Sequence, residues 1–156
     1  MSAARPGDLL RVVLDTNVYF SAFHSARGVP FEIWRRAVQR KYVLFVSPAI
    51  IGELADVLRV DLKWPEADIV AQLKLVVRVA NVVEPKIRLQ VIPADPDDDR
   101  ILECAISGGA HLIVSGDHHL TKLKAFEGIG IVRPADFLKS AGMMPITART
   151  ERNLIN

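Results

Sequence analysis

Short apolar runs that alternate with stretches of helical periodicity constrain the fold of this chain more than any other feature. Two neighbouring parallel strands need a crossover of a dozen or more residues between them, and a helix usually supplies it. The alternation therefore predicts an α/β fold with a parallel five-stranded sheet flanked by helices. The predicted strands are Leu10–Leu14, Tyr42–Val46, Asn81–Val83, His111–Val114 and Ile129–Val132.

The segments between the strands carry start and stop signals for helices. A serine followed by proline is typical of an N-cap and a first helical turn, and a glycine pair is typical of a helix end. Four helices are predicted on these grounds and on apolar periodicity: from Pro30 through Val38, from Ser47–Pro48 through Leu58, from Glu66 to Val79, and from a cap at Asp98 or Asp99 to Gly108–Gly109.

Length and composition predict one soluble domain. A chain of 156 residues with 50% hydrophobic residues can bury a core of its own. We expect the domain to span residues 8–139, and residues 140–156 to form a tail that is mobile or docks on a neighbour. No apolar run approaches the length of a membrane span, the N-terminus lacks the apolar region of a signal peptide, and Cys104 is the only cysteine. These features predict a cytoplasmic protein without membrane attachment.

Acidic side chains adjoin segments that are otherwise typical of a core. Asp15 follows the first predicted strand, Asp117 follows the fourth, and Asp98 belongs to the acidic run at 95–99. Glu53 lies at the margin of the apolar stripe of its helix, from where it can reach a cleft. Carboxylates resist burial without a partner, and the carboxyl ends of parallel strands meet at one edge of the sheet. A divalent cation is the partner that such a group of acids most naturally implies.

Each of these acids also has a structural interpretation. Asp15 can be a turn residue or a helix cap, and Glu53 a solvated helix residue. Asp97 and Asp99 are expected to be solvated turn and capping residues. Seven positions along a helix bring Asp98 onto the core-facing side together with Ala105, whereas Asp99 turns away.

Basic residues are concentrated in the first part of the chain, although the net charge is only +2. They can form a flank that attracts phosphate groups. Alternatively, those at positions 35, 36, 40 and 41 complement the negative end of a helix dipole. We favour the second interpretation for these four residues, since basic last turns are common in helical proteins.

Four motifs follow one another along the chain: Val12–Val18, Ser47–Leu54, Asp95–Ala105 and Ala110–Asp117. In this order they resemble the motifs of PIN-domain ribonucleases, most closely the toxin components of bacterial toxin–antitoxin pairs. The resemblance covers roughly residues 10–138.

The resemblance implies which residues form the site. Asp15, Asp98 and Asp117 would bind the metal directly, and Glu53 through water, as the four catalytic acids. Aligning Ala105 with a small residue of the family motif selects Asp98 as the ligand, with Asp99 as the second choice. At His119 the chain departs from the family, which often carries a second acid there, and imidazole favours softer metals than oxygen does. Supporting polar roles are implied for Thr16, Asn17 and Ser115.

The ligand types and the resemblance together imply an activity. Oxygen ligands suit Mg²⁺ or Mn²⁺, which bind phosphate oxygens and activate water. The implied enzyme is a metal-dependent endoribonuclease that hydrolyses RNA phosphodiester bonds as the toxin of a toxin–antitoxin pair. Its implied partners are RNA, a cognate antitoxin and a second copy of the chain, the latter burying apolar surface on the helix at 66–79.

Two other classes of function are compatible with the same pattern. A phosphoacceptor α/β protein also carries an aspartate after its first strand, but the dehalogenase pattern requires a second aspartate where this chain has Asn17. A catalytically weak PIN scaffold would act as a binding module. Covalent labelling of Asp15 by a phosphodonor would indicate the first class, and absence of Mn²⁺ binding the second.

Overall fold

A computed structural model describes residues 9–140, which form six strands and seven helices. The predicted C-terminal tail begins at the last described residue and otherwise lies outside this range. The strands are β1 (Arg11–Leu14), β2 (Val43–Val46), β3 (Asn81–Val82), β4 (Leu112–Val114), β5 (Ala125–Phe126) and β6 (Ile129–Val132). The helices are α1 (Thr16–His24), α2 (Val29–Val38), α3 (Pro48–Val60), α4 (Glu66–Val79), α5 (Pro96–Gly108), α6 (His118–Thr121) and α7 (Pro134–Lys139).

The strands form one sheet in the order β3-β2-β1-β4-β6-β5. The five predicted strands are present and mutually parallel, which confirms the α/β fold. The sheet gains a sixth strand, because β5 pairs antiparallel with the edge of β6. The turn between them has positive φ at both Glu127 and Gly128, as a two-residue type I′ hairpin requires. Glu127 occupies a position where asparagine or aspartate is more usual, so the sequence alone does not indicate this hairpin.

The helix predictions are confirmed except for one cap. Helix α3 is capped by Ser47, whose Oγ accepts a hydrogen bond from the Ile50 amide, and α4 has the predicted bounds. Helix α5, however, begins earlier than expected, and its N-cap is Asp95, so the prediction of a cap at Asp98 or Asp99 is wrong. Pro96 then occupies the first turn, where its missing N–H is no loss. The cap at Asp95 places Asp98 inside the first turn of α5.

Helix α5 is anchored at its C-terminal end beside the start of β1. The helix ends at Gly109, which has a φ of +63°. The Arg11 guanidinium donates to the carbonyls of Gly108 and Gly109 and lies 4.8 Å from the centre of the Phe45 ring. The same ring lies against Gly108, where a Cβ atom would approach it to 2.9 Å. These contacts hold α5 against β1 and β2, with its acidic N-terminus at the opposite edge of the sheet.

Three basic residues in and just after α2 are engaged within the protein. Arg35 and Arg36 pair with Glu32 at 2.9 Å. Arg40 donates to the carbonyls of Val79 and Arg78, which end α4. The position of Arg40 agrees with the helix-end interpretation, although the helix it complements is α4 rather than its own.

Trp34 and Cys104 are buried in the core, and burial raises the pKa of the Cys104 thiol to about 12. Among residues 9–140, no helix is both long enough and apolar enough to cross a membrane.

Candidate functional site

Three of the predicted site acids meet at the carboxyl edge of the sheet. Asp15 directly follows β1, Asp117 lies in the loop after β4, and Asp98 projects from the first turn of α5. Each offers a carboxylate oxygen, and these oxygens lie within 4.8 Å of one another. Because β1 and β4 are neighbours in the sheet, their parallel pairing brings the first two acids together. We refer to Asp15, Asp98 and Asp117 as the acid triad.

Ser115 links two members of the triad through one hydroxyl group. Its Oγ donates to Oδ2 of Asp15 at 2.6 Å and accepts from the amide of Asp117 at 3.0 Å. Asp15 occupies the N-cap position of α1, but its side chain makes no capping hydrogen bond. Burial raises the pKa of Asp15, the Ser115 hydrogen bond opposes this rise, and Asp117 adds to it. The Asp15 carboxylate is therefore oriented toward the site rather than used as a helix cap.

Asp98 is the most strongly perturbed acid of the triad. Its side chain is only 4% exposed, and Oδ2 lacks a hydrogen-bond partner among the described residues. Burial, followed by the charges of Asp117 and Asp15, raises its pKa to about 8. A buried carboxylate oxygen without a partner is costly unless a cation or a proton satisfies it.

Glu53 lies beside the triad on α3. Its Oε2 accepts a hydrogen bond of 3.1 Å from the hydroxyl of Thr16, which is buried. Burial, together with the charge of Asp97, raises the pKa of Glu53 to about 7. Thr16 thus orients Glu53 as Ser115 orients Asp15. Asn17, the other predicted supporting residue, is exposed, and its side chain makes no hydrogen bond within residues 9–140.

Asp99 does not behave as the helix pattern predicts. It is 3% exposed, and its Oδ1 accepts hydrogen bonds from the amides of Val91 and Ile92, so the expectation that it turns to solvent is wrong. These amides belong to the strap, residues 83–94, which joins β3 to α5. Asp99 holds the strap and is not part of the acid triad, whereas Asp97 is exposed as predicted.

Glu103 is a buried acid that the sequence interpretation overlooked. It lies one turn after Asp99 on α5 and accepts a hydrogen bond from the amide of Leu89 at 2.7 Å. Arg100 donates to Glu103 at 2.8 Å and to the carbonyl of Leu89 at 2.9 Å. Asp99 and Glu103 lie four positions apart and therefore on the same face of α5. This spacing is the sequence signal for a second contact between α5 and the strap.

Of the four histidines, one makes a structural contact at the sheet and two lie beside the triad. Nδ1 of His111 accepts from the Arg11 amide at 2.9 Å, so His111 is engaged at the sheet. Nδ1 of His119 lies 3.3 Å from Oδ1 of Asp117, and Nδ1 of His118 lies 4.0 Å from the same atom. Asp117 caps α6 by accepting from the His119 amide at 2.8 Å.

The donor set of the triad fits a hard divalent cation. Its carboxylates supply only oxygen, the ligand type that Mg²⁺ and Mn²⁺ prefer. The unpartnered Oδ2 of Asp98 is an acceptor that a cation would satisfy. Two of the three carboxyl groups have raised pKa values, because like charges and burial disfavour ionisation without a counterion.

Comparisons with known proteins agree with this geometry. The family model for the PIN domain matches residues 11–119. An uncharacterized protein of Methanocaldococcus jannaschii is 31% identical over 120 residues, which cover 74% of this chain and 76% of that protein. Two solved structures share the fold. VapBC2 from Rickettsia felis, bound to a DNA fragment from its promoter, has a TM-score of 0.57 at 11% identity, covering 80% of this chain and 98% of that one. PAE2754 from Pyrobaculum aerophilum has a TM-score of 0.56 at 18% identity, covering 83% and 87%.

Proposed function

Since the chain belongs to the PIN-domain family, we propose that it is a Mg²⁺- or Mn²⁺-dependent endoribonuclease that hydrolyses RNA phosphodiester bonds. The observation that carries this proposal is the convergence of Asp15, Asp98 and Asp117 with a buried Asp98 oxygen that has no partner among the described residues. A cation-binding group of oxygens at the carboxyl edge of a parallel sheet is a suitable place to bind a phosphodiester.

The three aspartates would hold the cation, which when bound supplies positive charge for the phosphate oxygens and lowers the pKa of water. Ser115 keeps the Asp15 carboxylate directed into the site. Glu53, fixed by the Thr16 hydroxyl, has a pKa of about 7 and can accept a proton from an attacking water near neutral pH. Each of these polar groups therefore has a task in phosphodiester hydrolysis.

Cleavage of labelled RNA by the purified protein tests the proposal. We expect cleavage with Mg²⁺ or Mn²⁺, none with EDTA, and a loss of at least about 100-fold for Asp15→Asn, because the substitution removes a metal-binding oxygen. Asp61→Asn is the matched control, since Asp61 is an exposed aspartate at the end of α3. Intact RNA with both metals, or equal cleavage by wild type and Asp15→Asn, would contradict the proposal. Intact RNA together with the absence of any Mn²⁺ binding that Asp98→Asn abolishes would instead identify a binding scaffold.

We further propose that the protein is the cytoplasmic toxin of a toxin–antitoxin pair. Support comes from the fold it shares with VapBC2 of Rickettsia felis. A cognate antitoxin would cover the acid triad, and an arginine of that partner would suit the three carboxylates. Co-expression with the product of the adjacent gene tests this idea: the pair should co-purify, and the partner should suppress RNA cleavage. Separate elution of the two proteins would refute it.

A homodimer is the assembly we propose for the chain. Val70 and Val77 on α4 are 47% and 44% exposed, and they adjoin Leu73 in one apolar groove. Burying such a face against a second copy would remove apolar surface from water. Light scattering should give a dimer for wild type and a monomer for Val77→Asp. A wild-type monomer at micromolar concentration would exclude this assembly.

A further inference from the structure

We propose that Asp117, His118 and His119 form a second cation site, which takes a borderline transition-metal ion such as Zn²⁺. One ligand atom from each of the three residues lies within 4.8 Å of the other two. This imidazole group shares only Asp117 with the acid triad. The two groups therefore adjoin at the carboxyl edge of the sheet but differ in the chemistry of their ligands.

The distances within the imidazole group are close to those of a zinc site. Zinc bonds of about 2.0–2.1 Å in a tetrahedral arrangement separate the ligand atoms by roughly 3.3 Å. Nδ1 of His119 is 3.3 Å from Oδ1 of Asp117, and Nδ1 of His118 is 4.0 Å from it. The His118 side chain is 76% exposed, so a small rotation can bring it to the shorter distance. Three protein ligands leave a fourth position for water or substrate.

The two imidazoles are available to a metal, in contrast to that of His111. Nδ1 of His111 already accepts a hydrogen bond from the Arg11 amide. The rings of His118 and His119 contact each other, with centroids 4.1 Å apart. Within residues 9–140, the only polar partner of either ring is the Asp117 carboxylate. Their nitrogen lone pairs are consequently not used by the fold.

The carboxylate of this group is held in place before any ion binds. The Asp117 amide donates to Oγ of Ser115 at 3.0 Å, and Oδ1 of Asp117 accepts from the His119 amide at 2.8 Å. Metal ligands fixed by such outer contacts bind more tightly than free side chains do. The short helix α6 also holds the two histidines on consecutive positions next to Asp117.

Imidazole ligands favour Zn²⁺, Co²⁺ or Ni²⁺, whereas the all-oxygen triad favours Mg²⁺ or Mn²⁺. An ion on the imidazole group draws Asp117 away from the triad, because one carboxylate then serves two cations. Zn²⁺ should therefore slow metal-dependent RNA cleavage, a consequence that rests on the proposed function. The binding of Zn²⁺ itself does not depend on that function.

Isothermal titration of the full, tag-free chain with Zn²⁺ tests the site in the presence of excess Mg²⁺. His118→Ala combined with His119→Ala should weaken Zn²⁺ binding by at least about 10-fold per imidazole, since even loss of an outer partner of a ligand costs about 10–100-fold. The single His118→Ala variant changes an exposed side chain and should show part of this loss in a folded protein. His24→Ala removes a histidine distant in sequence from the site and should leave the affinity unchanged.

Asp15→Asn separates this inference from the proposed function. It alters the acid triad but leaves all three ligands of the imidazole group in place, so Zn²⁺ binding should persist within about 3-fold of wild type. Zn²⁺ affinity that is the same in wild type and in the double histidine variant would overturn the inference. If the histidines prove necessary for Zn²⁺ binding and RNA stays intact with every metal, the second site stands and the nuclease proposal fails.

Discussion

Replacement of Asp98 by asparagine should stabilise the protein in the absence of metal. The three carboxylates of the acid triad offer oxygens within 4.8 Å of one another, and burial raises the pKa of Asp98 to about 8. An acid with a raised pKa contributes stability below the pKa of the unfolded chain, and this stability is lost as the pH rises through the folded value. The loss in metal-free wild type therefore develops between about pH 4 and pH 8.

The magnitude follows from the separation of the charges. Two unit charges 4.8 Å apart repel each other by about 3 kcal/mol at an effective dielectric constant of about 20. Asp15 also has a raised pKa, so the triad is not fully ionised, and we expect a total gain of about 3 kcal/mol rather than twice that value. For a chain of 156 residues this corresponds to a rise in Tm of roughly 6–12 °C.

Differential scanning calorimetry in EDTA measures this effect. At pH 8 Asp98→Asn should unfold at a higher temperature than wild type, and the difference should shrink toward pH 4. Asp61→Asn, an exposed control, should change the free energy of unfolding by less than about 0.5 kcal/mol. Addition of Mn²⁺ should stabilise wild type but not Asp98→Asn. A variant that is less stable than wild type at pH 8 in EDTA would refute the account of repulsion within the triad.

Three further substitutions test other parts of the structure. Ser115→Ala removes the 2.6 Å hydrogen bond to Asp15 and should lower RNA cleavage by about 10-fold or more, with a still higher pKa for Asp15 in NMR titration; unchanged cleavage would exclude a positioning role. Asp99→Ala leaves two strap amides, one of them buried, without an acceptor and should cost about 2–4 kcal/mol in urea unfolding, whereas Asp99→Asn, which keeps one acceptor oxygen, should cost less. Gly108→Ala places a Cβ 2.9 Å from the Phe45 ring and should cost about 1–3 kcal/mol in the same assay, and full stability would show that the ring yields freely.

The succession of the five parallel strands along the chain and the approximate bounds of α2, α3 and α4 can be predicted from the sequence because local signals specify them. Ser47 with Pro48 begins α3, and Gly109 ends α5, in each case through the conformation of a single residue. The cap of α5 was harder to place, since Asp95, Asp97, Asp98 and Asp99 are all acceptable N-caps. The proline at position 96 favours the first of them.

The different roles of neighbouring acids depend on tertiary contacts that no local sequence pattern indicates. Asp98 and Asp99 are adjacent and both buried, yet one belongs to the triad and the other holds two amides of the strap. The strap has no periodicity to show where it would run. Its position beside α5 is what gives Asp99 and Glu103 their partners.

The chain's own pattern was sufficient to predict a parallel α/β sheet and the identity of four acids near its carboxyl edge, because strand and helix periodicity is a local property. Tertiary structure decided which oxygens meet, since Asp15 and Ser115 are 100 positions apart and joined by one hydrogen bond. It also decided the raised pKa values of Asp98 and Glu53, which arise from burial and from charges brought close by folding. Burial and proximity are properties of the folded molecule, whereas residue type and spacing are already present in the unfolded chain.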